Sequence, residues 1–590
     1  MVLRDEVSDH ANFSVIPIIG TEGVGKTTLT RLVYDDKAVE DFKPRAWLSL
    51  YEDSNVFRIS KAILESITSK SCSLKDLDEV LAQLEEAIFG RKFLFVLGDV
   101  STENYGLWET LKSSFMAGAP AVCFMYCAIL PDDYEFEEKE LVLLWIAECL
   151  IGEAQGDERI EDIGGKFFQE LLKRCLFQHS SSHASKYRMH DLVKIMARWI
   201  YGETEYSRSD DVLGVNEQRE EFKKTSHSDT SARSDEKNIF KLFYDVDNLR
   251  TFVPGLISNN DNHHITDALL SDLLPKSERL RALSLATHSI TKLPSLVEGL
   301  RYLRYVNLSS TMIRTLPDSI CLLPILQILL LRDCSHLVEL PSNLRKLINL
   351  WYLDITGVNL LREMPLGMKE LTCLRTLLNF IVGKGVGSDL KDLEDLKFLG
   401  ELYVSRLQNA TGSQDTKDSI LKDKKALKVL VLEWDFQLDD TRDELVEENV
   451  LGTLQPYQNL KELTIKGYTG TRFSSWLGDS TYSKIVVLTL KRCERCRVLP
   501  SLGCLGLLEH LTIKGITGIK RIGSELFGKD CSSPFKSLKT LCFEDLKELE
   551  NWDPVEENEH VEIFPCLRMW GIRGFVPKPL TVLRRRGRRM

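Results

Sequence analysis

Beyond residue 280 the leucines recur at a spacing that few architectures satisfy. Leu280-x-x-Leu283-x-Leu285 returns as Leu303-x-x-Val306-x-Leu308, then as Leu326-x-x-Leu329-x-Leu331 and Leu350-x-x-Leu353-x-Ile355. The middle positions 283, 306, 329 and 353 lie 23, 23 and 24 residues apart, which is leucine-rich-repeat spacing. Leu316-Pro317, Leu340-Pro341 and Met364-Pro365 close three of the units. The pattern loosens through 383–425 and resumes at Leu427-Leu430-Leu432, Leu460-Leu463-Ile465, Leu508-Leu511-Ile513 and Leu538-Leu541-Phe543. No unit buries its leucines alone, so stacking them fills the interior of a solenoid and turns the intervening residues to the concave face. On that face the pattern puts Arg304, Tyr305 and Asn307, then Trp351, Tyr352 and Asp354, then Lys428, Glu433 and Trp434. Aromatic side chains among mixed charges suit protein recognition.

A second signal lies near the start. Gly20-Thr21-Glu22-Gly23-Val24-Gly25-Lys26-Thr27-Thr28 fits the phosphate-loop pattern, after an apolar strand-like run (14–19) and before a helix-like stretch. Glycines let backbone N–H groups turn inward around phosphates, and the helix start adds the positive end of its dipole. The candidate phosphate-binding residues are Gly20, Gly23, Val24, Gly25, Lys26, Thr27 and Thr28. Lys26 would reach the β- and γ-phosphates of ADP or ATP, and the Thr27 hydroxyl would hold Mg²⁺.

The chain of 590 residues exceeds what one core serves. Its net charge of −11 implies no general affinity for nucleic acid. Arg4, Asp5 and Glu6 interrupt any secretory signal, and the longest apolar stretch, 141–151, is broken by Glu148 and too short for a bilayer. Fourteen irregularly spaced cysteines without such a signal predict reduced thiols and a cytoplasmic or nuclear protein. Cys493 and Cys496 form one C-x-x-C with no second pair at zinc-site spacing, and read as repeat residues.

Apolar runs at 14–19, 45–50 and 92–97 alternate with helical patterns at 59–67 and 77–88, as in a parallel α/β nucleotide domain. After Gly118-Ala119-Pro120 the patterns turn helical. Leu141, Leu144 and Trp145 share one predicted face, Ile163, Phe167, Leu171, Leu172 and Cys175 a second, and Leu192, Ile195, Met196 and Trp199 a third. The predicted layout is a nucleotide-binding domain at 1–120, a helical domain at 121–201, a polar linker at 202–270, repeats at 271–575 and a basic tail at 576–590. The predicted fold class is α/β throughout, apart from the helical domain.

A phosphate loop, a helical module and leucine-rich repeats in that order resemble the plant NB-LRR immune receptors of the coiled-coil class. Phe42-Lys43-Pro44-Arg45-Ala46-Trp47-Leu48 looks like the family's second-strand motif. The segment from Cys123 through Cys127 to Pro131 resembles the opening of its winged helix, although core packing accounts for both cysteines. Met189-His190-Asp191 matches the family's MHD motif, whose histidine touches the ADP phosphate. The resemblance implies a switch in which ADP holds the receptor off. A pathogen effector or guarded host protein would be sensed through the concave face.

Several departures weaken the site. Glu22 stands where the family's loop usually has glycine, and a carboxylate there opposes phosphate charge. The Walker B run 93–100 keeps only Asp99 of two successive aspartates, with Gly98 in place of the first. The strands, arginine sensor and Gly-Leu-Pro motif that the family places before its winged helix have no counterpart, nor does the coiled coil upstream. The run 14–19 would then be an edge strand. Weak nucleotide binding and loss of ATP hydrolysis are the expectation. Two other readings stand beside it: a nucleotide-independent repeat protein acting as decoy or regulator of full-length relatives, and an active P-loop ATPase. The tail Arg584-Arg585-Arg586-Gly587-Arg588-Arg589 is read either as a nuclear-localisation patch or as an aberrant terminus.

Overall fold

The computed structural model describes 25–98 and 123–197 in part. It also describes 250–573 apart from 254–266, 268–269, 272–273, 385–388, 411–418, 436–442, 529–533 and 553–563. The chain divides into two compact units, the first Met1–Val212 with Val253–Leu256, the second Leu213–Phe252 with Ile257–Met590.

In the first unit, helix α1 (Lys26–Tyr34) precedes strand β1 (Arg45–Ser49), helix α2 (Val56–Thr68) and strand β2 (Leu94–Gly98). β1 and β2 pair in parallel, with Trp47 opposite Val96. This agrees with the runs predicted at 45–50 and 92–97. The run 14–19 lies outside the described residues.

The helical domain contains more than helices. Helices α3 (Glu138–Ala147) and α4 (Ile160–Lys173) are followed by an antiparallel hairpin of strands β3 (Phe177–His179) and β4 (Tyr187–Met189). Two helices and a hairpin make the winged helix that the resemblance implies. α3 is buried nearly all round, from Leu141 to Ala147.

The predicted face of α4 is right at Leu171 but one residue out of phase in the turns before it. Gly164, Phe168 and Leu171 are buried, whereas Ile163 and Phe167 are only half-buried. Packing decides the phase. A Cβ on Gly164 would lie 2.5 Å from a Val142 methyl, so glycine faces α3, and the Phe168 ring stacks 5.1 Å from Phe177. Phe136 and Tyr187 close this aromatic cluster edge-on.

Apart from a separate two-stranded sheet of Arg521–Ile522 and Asn551–Trp552, the second unit is built on a parallel sheet of thirteen strands in nearly sequential order. It runs from Thr251–Phe252, inside the stretch read as linker, to Met569–Arg573. The loosened stretch continues it, with strands Thr376–Ile381 and Glu401–Ser405 paired to each other. The consensus leucines form one continuous buried core beneath the sheet. Fully burying each contributes about 1.5–3 kcal/mol. Short 3-10 helices such as Asp318–Leu322 and Leu344–Lys346 follow Leu316-Pro317 and Leu340-Pro341. Proline 317 holds φ at −68 at the entry to the first of them.

A rule invisible in the leucine pattern governs the exit from most of the strands. Two residues beyond the strand's last buried consensus position the backbone is left-handed. Thr287, Ser310, Asp333, Gly357, Arg406, Gly467, Arg492, Gly515 and Asp545 all have φ between 53 and 77. That turn lets the N–H of Ser310 reach the Arg332 carbonyl at 2.7 Å, and that of Arg492 the Lys514 carbonyl at 2.7 Å. Each tie binds a repeat to the next.

Candidate functional site

The phosphate loop is described from Gly25 onward. Gly25 takes a φ of 92, a left-handed conformation that glycine adopts freely, immediately before α1. The first amide to bond along the helix is that of Leu29, onto the Gly25 carbonyl at 2.9 Å. The amides of Thr27 and Thr28 therefore precede the helical ladder. No acidic residue occupies the first turn, and both threonine side chains are exposed. This end of the helix suits phosphate on charge and geometry alike. Gly20, Glu22, Gly23, Val24, Asp99 and His190 lie outside the described residues, though the wing strand β4 ends at Met189, directly before His190.

The far end of α1 is anchored in a way the motif did not foretell. Tyr34 meets Trp47 edge-on at 5.4 Å, and the Arg31 guanidinium lies 5.5 Å from the Trp47 ring centre. Arg45 lies over Tyr34 at 5.3 Å and donates from Nη1 to the Tyr34 carbonyl at 2.9 Å. Cation–aromatic contacts of this kind contribute about 0.5–1 kcal/mol at exposed sites. The tryptophan of the second-strand motif thus fixes the helix beside β1. Arg31 and Tyr34 are three residues apart on one helix face, a spacing that the sequence offers as a clue.

The cysteines behave as core residues. Cys123 and Cys127 are buried one helical turn apart, and the Cys127 thiol donates to the Cys123 carbonyl at 3.2 Å. Burial pushes the Cys123 thiol up to about 12 and Cys127 well above its ordinary value. Cys493 and Cys496 are also buried, and desolvation raises Cys493 to about 12. The Cys496 thiol donates to the Gly470 carbonyl at 3.1 Å. All four positions favour the neutral thiol.

The concave-face assignment divides. Arg304, Trp351, Lys428 and Glu433 are half-buried, but Tyr305, Asn307, Tyr352, Asp354 and Trp434 are buried. The reasons are local. The Asn307 side chain accepts from the Ser309 amide at 3.0 Å and the Asp354 carboxylate from the Thr356 amide at 2.9 Å, so both tie down the strand exit. Asp354 also pairs with Arg332 at 3.1 Å. Trp434 follows its strand into the core and packs 5.1 Å from Tyr468. From Glu401 to Glu544 the strands of this sheet alternate buried residues with half-buried ones, or exposed ones at Glu462 and His510, and the alternation breaks only at Val431.

A phosphate-loop helix beside a parallel sheet, a winged helix and a leucine-rich-repeat solenoid together make the domain set of the NB-LRR class. Comparison with known families agrees. The NB-ARC domain matches residues 2–123, the disease resistance protein winged helix domain 129–197, and the R13L1/DRL21 leucine-rich repeats 388–516. A putative disease resistance protein of Arabidopsis thaliana is 29% identical, covering 96% of this chain and 48% of its own length. A putative disease resistance RPP13-like protein of the same plant is 29% identical over 94% of this chain and 65% of its own. Disease resistance protein RGA2 of Solanum bulbocastanum is 26% identical over 96% and 67%. The chain is similar over most of its length to plant NB-LRR disease-resistance proteins, and it spans about half the length of the first of these relatives.

Proposed function

We propose that this chain is a disease-resistance protein whose repeats recognise a partner and whose nucleotide switch is impaired. The observation that carries this reading is α1. None of its residues is buried, and Leu29 and Leu32 are 53% and 67% exposed. A phosphate-loop helix that closes a complete nucleotide domain buries such leucines against its sheet.

The alignment with the first relative runs over 699 positions against 590 residues here, so at least 109 positions have no counterpart in this chain (699 − 590). Lys26 and Thr27–Thr28 would still cradle the phosphates of ADP or ATP, with Thr27 toward Mg²⁺ and His190 closing from the wing. Glu22 opposes the phosphate charge, and Gly98 removes one of the carboxylates that would organise the metal, leaving Asp99. Weak binding without turnover follows.

The partner would be a pathogen effector or a guarded host protein met by the solenoid in the cytoplasm. The arginine-rich tail offers nuclear entry as a variant of that location. Isothermal titration with ADP tests the switch: affinity of micromolar or tighter, lost in Lys26→Ala, overturns the impairment. Turnover of ATP above background, also lost in Lys26→Ala, would instead establish an active ATPase. If Lys26→Ala changes neither partner binding nor stability, the chain works as a nucleotide-independent repeat protein.

A further inference from the structure

Three repeats carry the same pattern, Leu-Thr, an aliphatic residue and Lys, in the same place. Leu-Thr-Ile-Lys at 463–466, Leu-Thr-Leu-Lys at 488–491 and Leu-Thr-Ile-Lys at 511–514 lie on three adjacent parallel strands. Their register sets Thr464 beside Thr489 and Thr489 beside Thr512, and it sets Lys466 beside Lys491 and Lys491 beside Lys514. The leucines and isoleucines point into the core, while the threonines and lysines stand half-buried on the other face. Neighbouring strands are about 4.8 Å apart, so the three lysines span about 10 Å.

Like charges one strand apart repel, and this row manages the repulsion from its ends. Glu433, on the strand before, pairs with Lys466 at 3.1 Å; Glu544, on the strand after, pairs with Lys514 at 3.0 Å. Each outer lysine is matched by the glutamate on its far side. Lys491, between two lysines, makes no ion pair among the described residues. The centre of the row therefore holds an unneutralised ammonium group beside a file of hydroxyls.

We propose that this part of the concave face binds an acidic segment of a protein partner, seating a carboxylate on Lys491 with the threonine file alongside. The inference rests on the recognition role proposed above and gives that role a chemistry. The flanking glutamates select the occupant. A long polyanion crossing the sheet would meet Glu433 and Glu544 within one strand of the lysines, whereas a short acidic segment fits between them. Nucleic acid is disfavoured on the same ground.

Fluorescence anisotropy on the full chain tests this with three labelled probes: a decapeptide alternating Glu and Thr, its Lys-Thr counterpart, and a ten-residue oligothymidylate. The acidic peptide alone should bind, and binding should fall as salt rises from about 0.05 to about 0.5 M, because surface charges are screened within a few ångströms at the upper value. Lys491→Ala should weaken it about threefold, and the combined Lys466→Ala, Lys491→Ala and Lys514→Ala variant about tenfold or more. Arg345→Ala, in a 3-10 helix away from the strands, should change nothing, and neither should Lys26→Ala. Undiminished binding to a triple variant with unchanged circular dichroism overturns the proposal. So does oligothymidylate binding that matches the peptide's and is lost with the same lysines. A triple variant that loses the peptide yet still captures a physiological partner would sink the acidic-segment proposal and leave repeat-mediated recognition standing.

Discussion

Where most strands of the solenoid end, a single residue adopts a left-handed backbone, and the chain does not always give that place to glycine. Thr287 holds φ 66 there with an exposed side chain, although a branched Cβ is crowded in that conformation. Thr287→Gly should therefore raise stability by about 0.5–1 kcal/mol, the relief of crowding outweighing glycine's larger entropy loss, as read by chemical denaturation. Ser284→Gly, within a strand, should lower it. Lys424 is a different case. It is 1% exposed, and its ammonium donates to the carbonyls of Leu393, Glu394 and Leu396 at 2.5, 3.2 and 3.1 Å. Lys424→Met keeps the stem but strips three carbonyls of their donor, and should cost about 3 kcal/mol. Desolvation lowers the Lys424 pKa from 10.5 to about 8. Between those values the unfolded chain holds a proton that the folded chain has released, so this group's contribution to stability grows with pH across the window. The margin of wild type over Lys424→Met should widen from pH 8 toward 10.5 and stay flat from pH 6 to 7. None of this was legible in the leucine spacing, which reports what is buried and not how the backbone turns or which carbonyls lack donors.

At the scale of elements, periodicity succeeded where burial is one-sided and failed where it is not. The strands at 45–50 and 92–97 and nearly every repeat were legible, because apolar residues there mark a single buried face. The phase of α4 was not, since the residue that decides it is a glycine, which carries no hydrophobic signal. The wing hairpin came only with the resemblance to a winged helix and not from periodicity, because strands of three residues are too short to show alternation. The short strands of the first repeats misled as well, because Asn307 and Asp354 look like surface residues yet spend their side chains on backbone amides. Gly164 turns this into a measurement. Alanine is favoured over glycine in a helix by about 1 kcal/mol, yet Gly164→Ala should destabilise the first unit by about 1–3 kcal/mol. Its Cβ would fall 2.5 Å from Val142 and 2.8 Å from Ile151, and both neighbours are branched and held in the core. Gly152→Ala, with nothing within 4 Å, serves as the control and should be near neutral. A stabilised Gly164→Ala would mean that α3 and α4 pack less closely than described.

Over the whole molecule the two units stand unequally. The second is built on a long sheet whose every strand finds a neighbour above a continuous core, so its integrity follows from repetition. The first carries the loop that names the family, on a helix with no buried residue. Ligand binding converts that contrast into a temperature. A ligand that binds only the folded state stabilises it by RT ln(1 + [L]/Kd), so about 1 mM ADP adds about 0.4 kcal/mol if Kd is about 1 mM but about 4.1 kcal/mol if Kd is about 1 μM. For a unit of roughly 200 residues each kcal/mol moves Tm by about 2–4 °C. With an impaired site, calorimetry at about 1 mM ADP should move the transition that Gly164→Ala lowers by less than about 2 °C, while the transition that Lys424→Met lowers stays in place. An intact switch would move the first of these by about 8 °C or more, and Lys26→Ala would abolish the shift. That result would return the phosphate loop to service and leave exposed Leu29 and Leu32 as a surface feature without bearing on nucleotide binding.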